Sequence, residues 1–562
     1  MFHKRYFLPA VLLLLTVVYG NAVDFWDNMD DRSLASRLLD EMSDEEIVAQ
    51  VFLIGWSGHA PSPEILEWIQ TRNIGGVKIF GWNGKDLGSL VSTLSHMQLT
   101  AQETSRRIPL FTATDQEGGI VRHVQGETTG TPGNMAIGAS RLPYDAYMTG
   151  YYIGRELRAM GINMNFAPTV DVYINPEAEV IGSRAFSDDP VLSGSLGIAY
   201  YKGLEKNKVI SAAKHFPGHG NARGDSHGML PVIEDSFEEI WERDLLPYRF
   251  LIPEGIPAVL SGHLNFPAVT GDKTPASLSG KFINGILKEQ MGFNGIVITD
   301  SLNMLGAQLY ARDNGMTFGE LCIQAIRAGN DMILLNTTPL FHGEIWTAMM
   351  NEYRDNSDFR IRVRDAVLNI LETKLEYLKP EDRVPLNPSP EKLHLKVPDP
   401  EGKQFFQQQA LRSITVVKDK NIPFKPSGEN SLLIAGQDRL FLEIGKQTYP
   451  QADTHLFTAR YGTISADELS GLVRKIRQYD TVIFCLQNKG SLKALKALED
   501  LGTEIIVFSI LTPVYLKETP WIETAVAAYG WWSDSYRAGF ACLRGDFIPE
   551  GILPIQGILK SR

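Results

Sequence analysis

Residues 214–227 read KHFPGHGNARGDSH, crowding three histidines, a lysine, an arginine and an aspartate into fourteen positions. His215 and His219 have the H-x-x-x-H spacing that binds zinc when both side chains project from one helical face. Pro217, Gly218, Gly220 and Gly224 make the segment a loop, and the glutamate of the helical motif is missing. A loop-built metal site is the minor alternative, and neither a metal nor a cofactor is expected. Asp225 and His227 lie two apart around a small serine, so the carboxylate can meet one imidazole nitrogen. Such a contact fixes the tautomer and raises the basicity of the ring, which prepares it to give and take protons. Taken alone, the same three residues read better as a solvated turn, since a local Asp–His pair is common.

Two acids stand out elsewhere. "GIVITDSLNM" (295–304) is an apolar strand that stops at Asp300. A charge at the end of a buried strand is costly unless it is paired or used. A carboxylate nucleophile is the reading favoured here, and an N-cap for the following helix is the alternative. In "TDQEGG", Asp115 leaves a strand and enters a glycine turn, a place where a carboxylate can accept hydrogen bonds from a polyhydroxylated ligand. A carboxylate nucleophile with a separate proton donor is the equipment of retaining glycoside hydrolysis. Cleavage assisted by a 2-acetamido group is the rival, and it calls for two neighbouring acids at a strand end. Asp300 is followed by Ser301 and the Asp188-Asp189 pair lies in a loop before Pro190, so the covalent route through Asp300 is favoured.

These residues need a scaffold that brings distant strand ends together. Eight β-type runs alternate with helical stretches: residues 51–56, 75–80, 109–117, 162–172, 209–216, 257–267, 295–304 and 330–336. Their cores are continuously apolar, as expected of parallel strands covered on both faces. Asp115 and Glu117, Lys214 and His215, His263, and Asp300 all fall at the ends of such runs. The pattern predicts an α/β chain that begins with a (β/α)8 TIM-type barrel, whose strand ends converge on one face.

Residues 380–400 hold six prolines and no apolar periodicity, which reads as an extended linker. Further runs at 431–436, 480–488, 504–511 and 524–532 predict a smaller α/β sandwich domain. It has no glycine-rich phosphate fingerprint. The expected organisation is a signal peptide over 1–22, the barrel over 23–379, a linker over 380–402 and the second domain over 403–562. The leader rests on His3, Lys4 and Arg5 ahead of a short apolar run, with Gly20 and Ala22 as small residues near a cleavage point. It predicts an exported, periplasmic or extracellular protein without stable membrane insertion. A net charge of −12 with no block of Lys or Arg argues against nucleic acid as a partner. Cys322, Cys485 and Cys542 have apolar neighbours and read as buried free thiols, although one bridge is possible by count.

"KHFPGHGNARGDSH", with "TDQEGG", "NFAPTVDV", "VIGSRAFSDDP", "GIVITDSLNM" and "AGNDMILL", resembles the β-N-acetylglucosaminidases of glycoside hydrolase family 3. The likeness runs from about Met42 to Asn336, and "GDFIPEGILPI" resembles the end of that family's second domain. The resemblance implies a retaining exo-β-N-acetylglucosaminidase acting on peptidoglycan fragments or chitooligosaccharides. Asp300 would be the nucleophile, His227 the acid/base and Asp225 its orienting partner. Asp115, Arg184, Lys214 and His215 would bind hydroxyls of the sugar, with Arg122, His123 and Met304 as further substrate contacts, and His219 would hold the loop. Two departures from the family pattern stand out: Asn221-Ala222 replaces the usual Asp-Thr, and His123 stands where an arginine is usual. The alternatives are a phosphorylase of the same fold and a non-catalytic sugar-binding protein.

Overall fold

The computed structural model of the protein describes residues 23–224, 228–426, 431–459 and 462–560. The leader over 1–22 and the Asp225–His227 element lie outside the described residues. Each of the eight expected runs in the first part contains one barrel strand: β1 (Phe52–Gly55), β2 (Gly76–Lys78), β3 (Phe111–Thr114), β4 (Met164–Asn165), β5 (Ile210–Phe216), β6 (Ala258–Ser261), β7 (Ile296–Thr299) and β8 (Ile333–Leu335). They pair in parallel in the order β8-β1-β2-β3-β4-β5-β6-β7. The parallel bridge Ile298↔Met332 joins β7 to β8, so the sheet curls into a barrel with one narrow seam.

Local chemistry starts and stops the covering helices. Ser43 and Glu46 form a capping box for the helix Asp44–Gln50. Asp189 accepts from the N–H groups of Val191 and Leu192 to cap Pro190–Glu205. The strands are buried along their whole length because helices cover the outside while side chains fill the inside.

The second part is a six-stranded sheet of β9 (Thr415–Asp419), β10 (Leu432–Gly436), β11 (Asp453–Leu456), β12 (Thr481–Leu486), β13 (Glu504–Ser509) and β14 (Thr524–Ala527). Its order is β9-β14-β13-β12-β10-β11, with β9 antiparallel and the rest parallel. The four apolar runs are the central strands. Edge strands β9 and β11 were not anticipated, since "TVVKD" is buried only at Thr415 and "DTHL" is half-buried or exposed, and both are short. Alternate residues of the central strands enter two separate cores. Val482, Phe484 and Leu486 face one side, Ile483 and Cys485 the other.

The first of these cores also contains Met135 and Ala136 from the helix Asn134–Ser140 and Tyr173, Ala178, Ile181 and Ala185 from a loop of the barrel, so one face of the second sheet packs on the first domain. The C-terminal tail returns to the barrel as well. Ile552 N–H donates to Ala139 C=O at 2.9 Å, and the Ser187 hydroxyl donates to Pro554 C=O at 2.6 Å. Between the domains, the helix Pro400–Ser413 starts inside the stretch read as linker, because Asp399 accepts from the N–H groups of Glu401 and Gly402. The three cysteines are buried and free. No helix among the described residues is long and apolar enough to cross a membrane.

The seam depends on Asp331, which is fully buried. Its carboxylate accepts from Val297 N–H at 2.9 Å and from Lys288 at 3.1 Å, and it also pairs with Arg362. Removing it strands two partly buried cations against β7. Asp331→Ala should lower the unfolding free energy by about 3 kcal/mol in urea titration. A loss under about 1 kcal/mol would place the seam's stability elsewhere.

Candidate active site

The carboxyl ends of the barrel strands surround a cavity of about 680 Å³. Its floor is a chain of buried charge. Asp115, at the end of β3, takes Lys214 on one oxygen at 2.5 Å and Lys78 on the other at 2.7 Å. Lys214 also reaches Glu117 at 2.5 Å. Glu117 receives Arg184 in a two-pronged pair, at 2.7 Å and 2.9 Å. The Arg184 guanidinium approaches Nε2 of His215 at 3.0 Å, and Nδ1 of that ring lies 2.7 Å from Asp171. Asp171 also accepts from the backbone N–H of His219 at 2.6 Å. Three carboxylates thus face three cations, with His215 inside the series.

Burial opposes ionisation of every acid in this chain, and the cations outweigh it. Arg184 and Lys214 hold the Glu117 carboxyl down at about 2. Lys214 and Lys78 hold Asp115 well below the usual carboxylate range. The His215 ring brings Asp171 to about 2. Burial brings the imidazoles of His123 and His219 to about 4, so both are neutral at pH 7. Neither ring nitrogen of His219 has a partner among the described residues, although the side chain lines the cavity.

Asp300 follows β7 on the same wall. Its backbone N–H donates to Ser261 C=O at 2.8 Å, and its carboxylate accepts from Ser301 N–H at 2.7 Å. The helix that follows begins at Leu305 after Met304, so Asp300 does not cap it. His263, at the end of β6, stays out of the cavity. Its ring contacts Ser277 at 2.7 Å and the carbonyl of Ser301 at 3.0 Å, bracing the turn that holds Asp300. Asp188 and Asp189 also stay out of the cavity, accepting backbone N–H groups of Gly557 and of the helix Pro190–Glu205.

Of the residues anticipated to contact substrate, Asp115, Arg184, Lys214, His215, His123 and Met304 line the cavity, together with Asp300. Arg122 is elsewhere. It belongs to the short hairpin Gln116–Gly118/Val121–Arg122, in which successive side chains point to opposite sides. Val121 and His123 therefore face the cavity. Arg122 turns away, donating to the carbonyl of Gln125 at 2.6 Å and lying 4.8 Å from the Trp532 ring of the second domain. Lys78, Glu117 and Asp171 were not assigned a role from sequence. The available signal was the one that marked Asp300, a charged residue within or at the end of an apolar strand.

The loop after β5 leaves the cavity wall under tight constraint. A Cβ on Gly220 would sit 1.8 Å from the carbonyl oxygen of Val172, so only glycine fits there. Asn221 donates to Asp235 at 2.6 Å, its carbonyl accepts from Asn175 at 3.1 Å, and Ala222 is buried. The two positions that depart from the family pattern therefore anchor the stem of the loop. Asp225 and His227, which follow it, lie outside the described residues. The described residues hold no group of three or more His, Cys, Asp or Glu suited to a metal ion.

Glu117 supplies a pH test. Its folded-state value of about 2 is below the ordinary 4.5, so its stabilisation is complete above 4.5 and is lost as pH falls through about 2. Glu117→Gln should cost about 3 kcal/mol at pH 7, and the gap to the parent protein should shrink to roughly half by pH 3. Urea unfolding of both proteins across that range measures it, and a gap independent of pH would refute the pairing.

The profile of the glycosyl hydrolase family 3 N-terminal domain matches residues 42–359, which cover β1 to β8. The chain is 36% identical over 288 residues to the β-hexosaminidase A of Pseudoalteromonas piscicida, a match covering 49% of this chain and 47% of that protein. It is 35% identical over 296 residues to a β-hexosaminidase of Neisseria meningitidis serogroup A, covering 51% of this chain and 75% of that one. This chain thus spans about half the length of the first relative and three quarters of the second. The solved structure of a family 3 β-N-acetylglucosaminidase from Paenibacillus sp. str. FPU-7 superposes with a TM-score of 0.79 at 26% identity, over 92% of this chain and 99% of that one. With its profile match over the whole barrel, the chain belongs to glycosyl hydrolase family 3.

Proposed function

We propose that this chain is a retaining exo-β-N-acetylglucosaminidase that removes terminal N-acetylglucosamine from chitooligosaccharides or peptidoglycan fragments. The observation that carries the reading is Asp300, a carboxylate on the wall of a cavity whose floor is a balanced set of buried charges. Such a floor keeps Asp115 ionised beside Lys214 and Lys78, so acceptors and donors for ring hydroxyls stand preformed. The three cations and three carboxylates of the floor pair with one another, whereas among the described residues the Asp300 carboxylate meets only the backbone N–H of Ser301 and faces the cavity. A carboxylate so placed favours the positive charge that grows on the anomeric carbon.

In the first step an oxygen of Asp300 bonds to the anomeric carbon as the bond to the leaving oxygen breaks. A proton from His227 goes to that oxygen. In the second step water attacks the same carbon, His227 takes its proton, and the bond to Asp300 breaks to restore the carboxylate. Asp225 would hold the imidazole in the tautomer this exchange needs. Arg184, Lys214, His215, His123 and Met304 would line the bound sugar, and Arg122 is assigned to the contact between domains instead. The structural roles of Asp188 and Asp189 support the covalent route over assistance by the 2-acetamido group. We further propose export directed by the basic and apolar residues of 1–22.

Asp300→Ala should lower turnover of an aryl N-acetylglucosaminide by at least about 10³-fold. His227→Ala should slow poor leaving groups far more than activated ones. Full activity in the Asp300 variant would overturn the mechanism. Sugar 1-phosphate formed in phosphate buffer would mark phosphorolysis in place of hydrolysis.

A further inference from the structure

Three alternate residues at the end of β2 climb from the floor of the cavity to its mouth. Lys78 is fully buried against Asp115. Above it lies Phe80, partly buried, with the Lys78 ammonium 4.5 Å from its ring centroid. Trp82 stands outermost and is 44% exposed. The rings of Phe80 and Trp82 are stacked, 4.6 Å apart and 10° from parallel. One face of the indole therefore rests on Phe80. The other is open at the rim of the same cavity.

The indole is held as if its orientation mattered. Its Nε1–H donates to the carbonyl of Trp56 at 2.9 Å. Next to it, the Asn83 amide donates to the carbonyls of Trp56 at 3.1 Å and Gly58 at 2.7 Å, and its oxygen accepts from Phe80 N–H at 2.9 Å. A ring already immobilised loses little conformational freedom when a ligand stacks on it. Leu305 and Gln308, both exposed, border the same cavity. Asn303 and Gln308 also border an adjoining groove of about 320 Å³ that contains Phe318, Pro339 and Leu340. An apolar path thus continues outward from the charged floor.

We propose that the open face of Trp82 is the platform on which the first sugar of the leaving group stacks, making the substrate a saccharide chain. The proposal rests on the N-acetylglucosaminidase reading above. A pyranose ring presents a face of C–H bonds, which suits the negative face of an aromatic ring. The hydroxyl-rich terminal sugar occupies the charged floor. The ring it is cleaved from projects to the mouth, where Trp82, Leu305 and the adjoining groove receive it and any residues beyond.

The test compares two glycosides of β-N-acetylglucosamine in the full-length protein. Di-N-acetylchitobiose has a pyranose leaving group, whereas the glycosyl azide has a leaving group without a ring. In Trp82→Ala the ratio of kcat/KM for chitobiose to that for the azide should fall about tenfold, mainly through KM for chitobiose. Trp82→Phe should recover most of it. An unchanged ratio, whether both substrates are cleaved normally or both are lost together, overturns the platform. Failure of the unsubstituted protein on both glycosides overturns the activity itself, and the platform with it.

Discussion

The pairing of Asp115 with Lys78 and Lys214 is the contact on which the arrangement of the cavity turns. An unpaired carboxylate or ammonium at that depth would be driven to its neutral form by burial. Two cations on opposite oxygens remove that option and leave Asp115 ionised. Lys214 then carries the constraint to Glu117, Glu117 to Arg184, and Arg184 to His215 and Asp171. Each group is held by an ion pair or a hydrogen bond to its neighbour, so the floor is rigid before any ligand arrives. Rigid, oriented dipoles and charges are what a site needs to favour a charged transition state over its ground state.

That chain also ties together distant parts of the sequence. Lys78 comes from β2, Asp115 from the end of β3, Asp171 from the segment after β4, and Lys214 and His215 from β5. Arg184 sits on the short turn Gly182–Arg184, just past Ile181, which packs into the core shared with the second domain. The second domain therefore supports the wall that carries Arg184. Arg122 against Trp532 and the Ser187–Pro554 hydrogen bond secure the same side. Across the seam, the Asp331 cluster holds β7 at Val297, near the amino end of the strand whose carboxyl end carries Asp300.

Much of this was legible in the chain. The eight barrel runs were readable because parallel strands buried on both faces are continuously apolar. Asp115, Lys214, His215 and Asp300 were readable because a charge that interrupts such a run demands an explanation. The same logic applied to Lys78 and Asp171, but those residues lie inside motifs that read as plain strand, and their partners are far away in sequence. Edge strands β9 and β11 gave no clear signal because, apart from Thr415, their residues are half-buried or exposed. The direction of Arg122 could not be inferred from "GGIVRHV", since a hairpin one residue out of step would have exchanged it with His123.

By itself the sequence determined the class of scaffold, the strand ends that carry charge, and the glycine and proline pattern that makes residues 217–224 a loop. Periodicity and steric limits act locally, and a single chain displays them. Tertiary structure alone decided which charges share a hydrogen bond, that Glu117 is the partner of Arg184, that His263 braces a turn, and that Arg122 faces the second domain. Those outcomes depend on the register and curvature of a closed sheet, which sets the distances between residues a hundred positions apart.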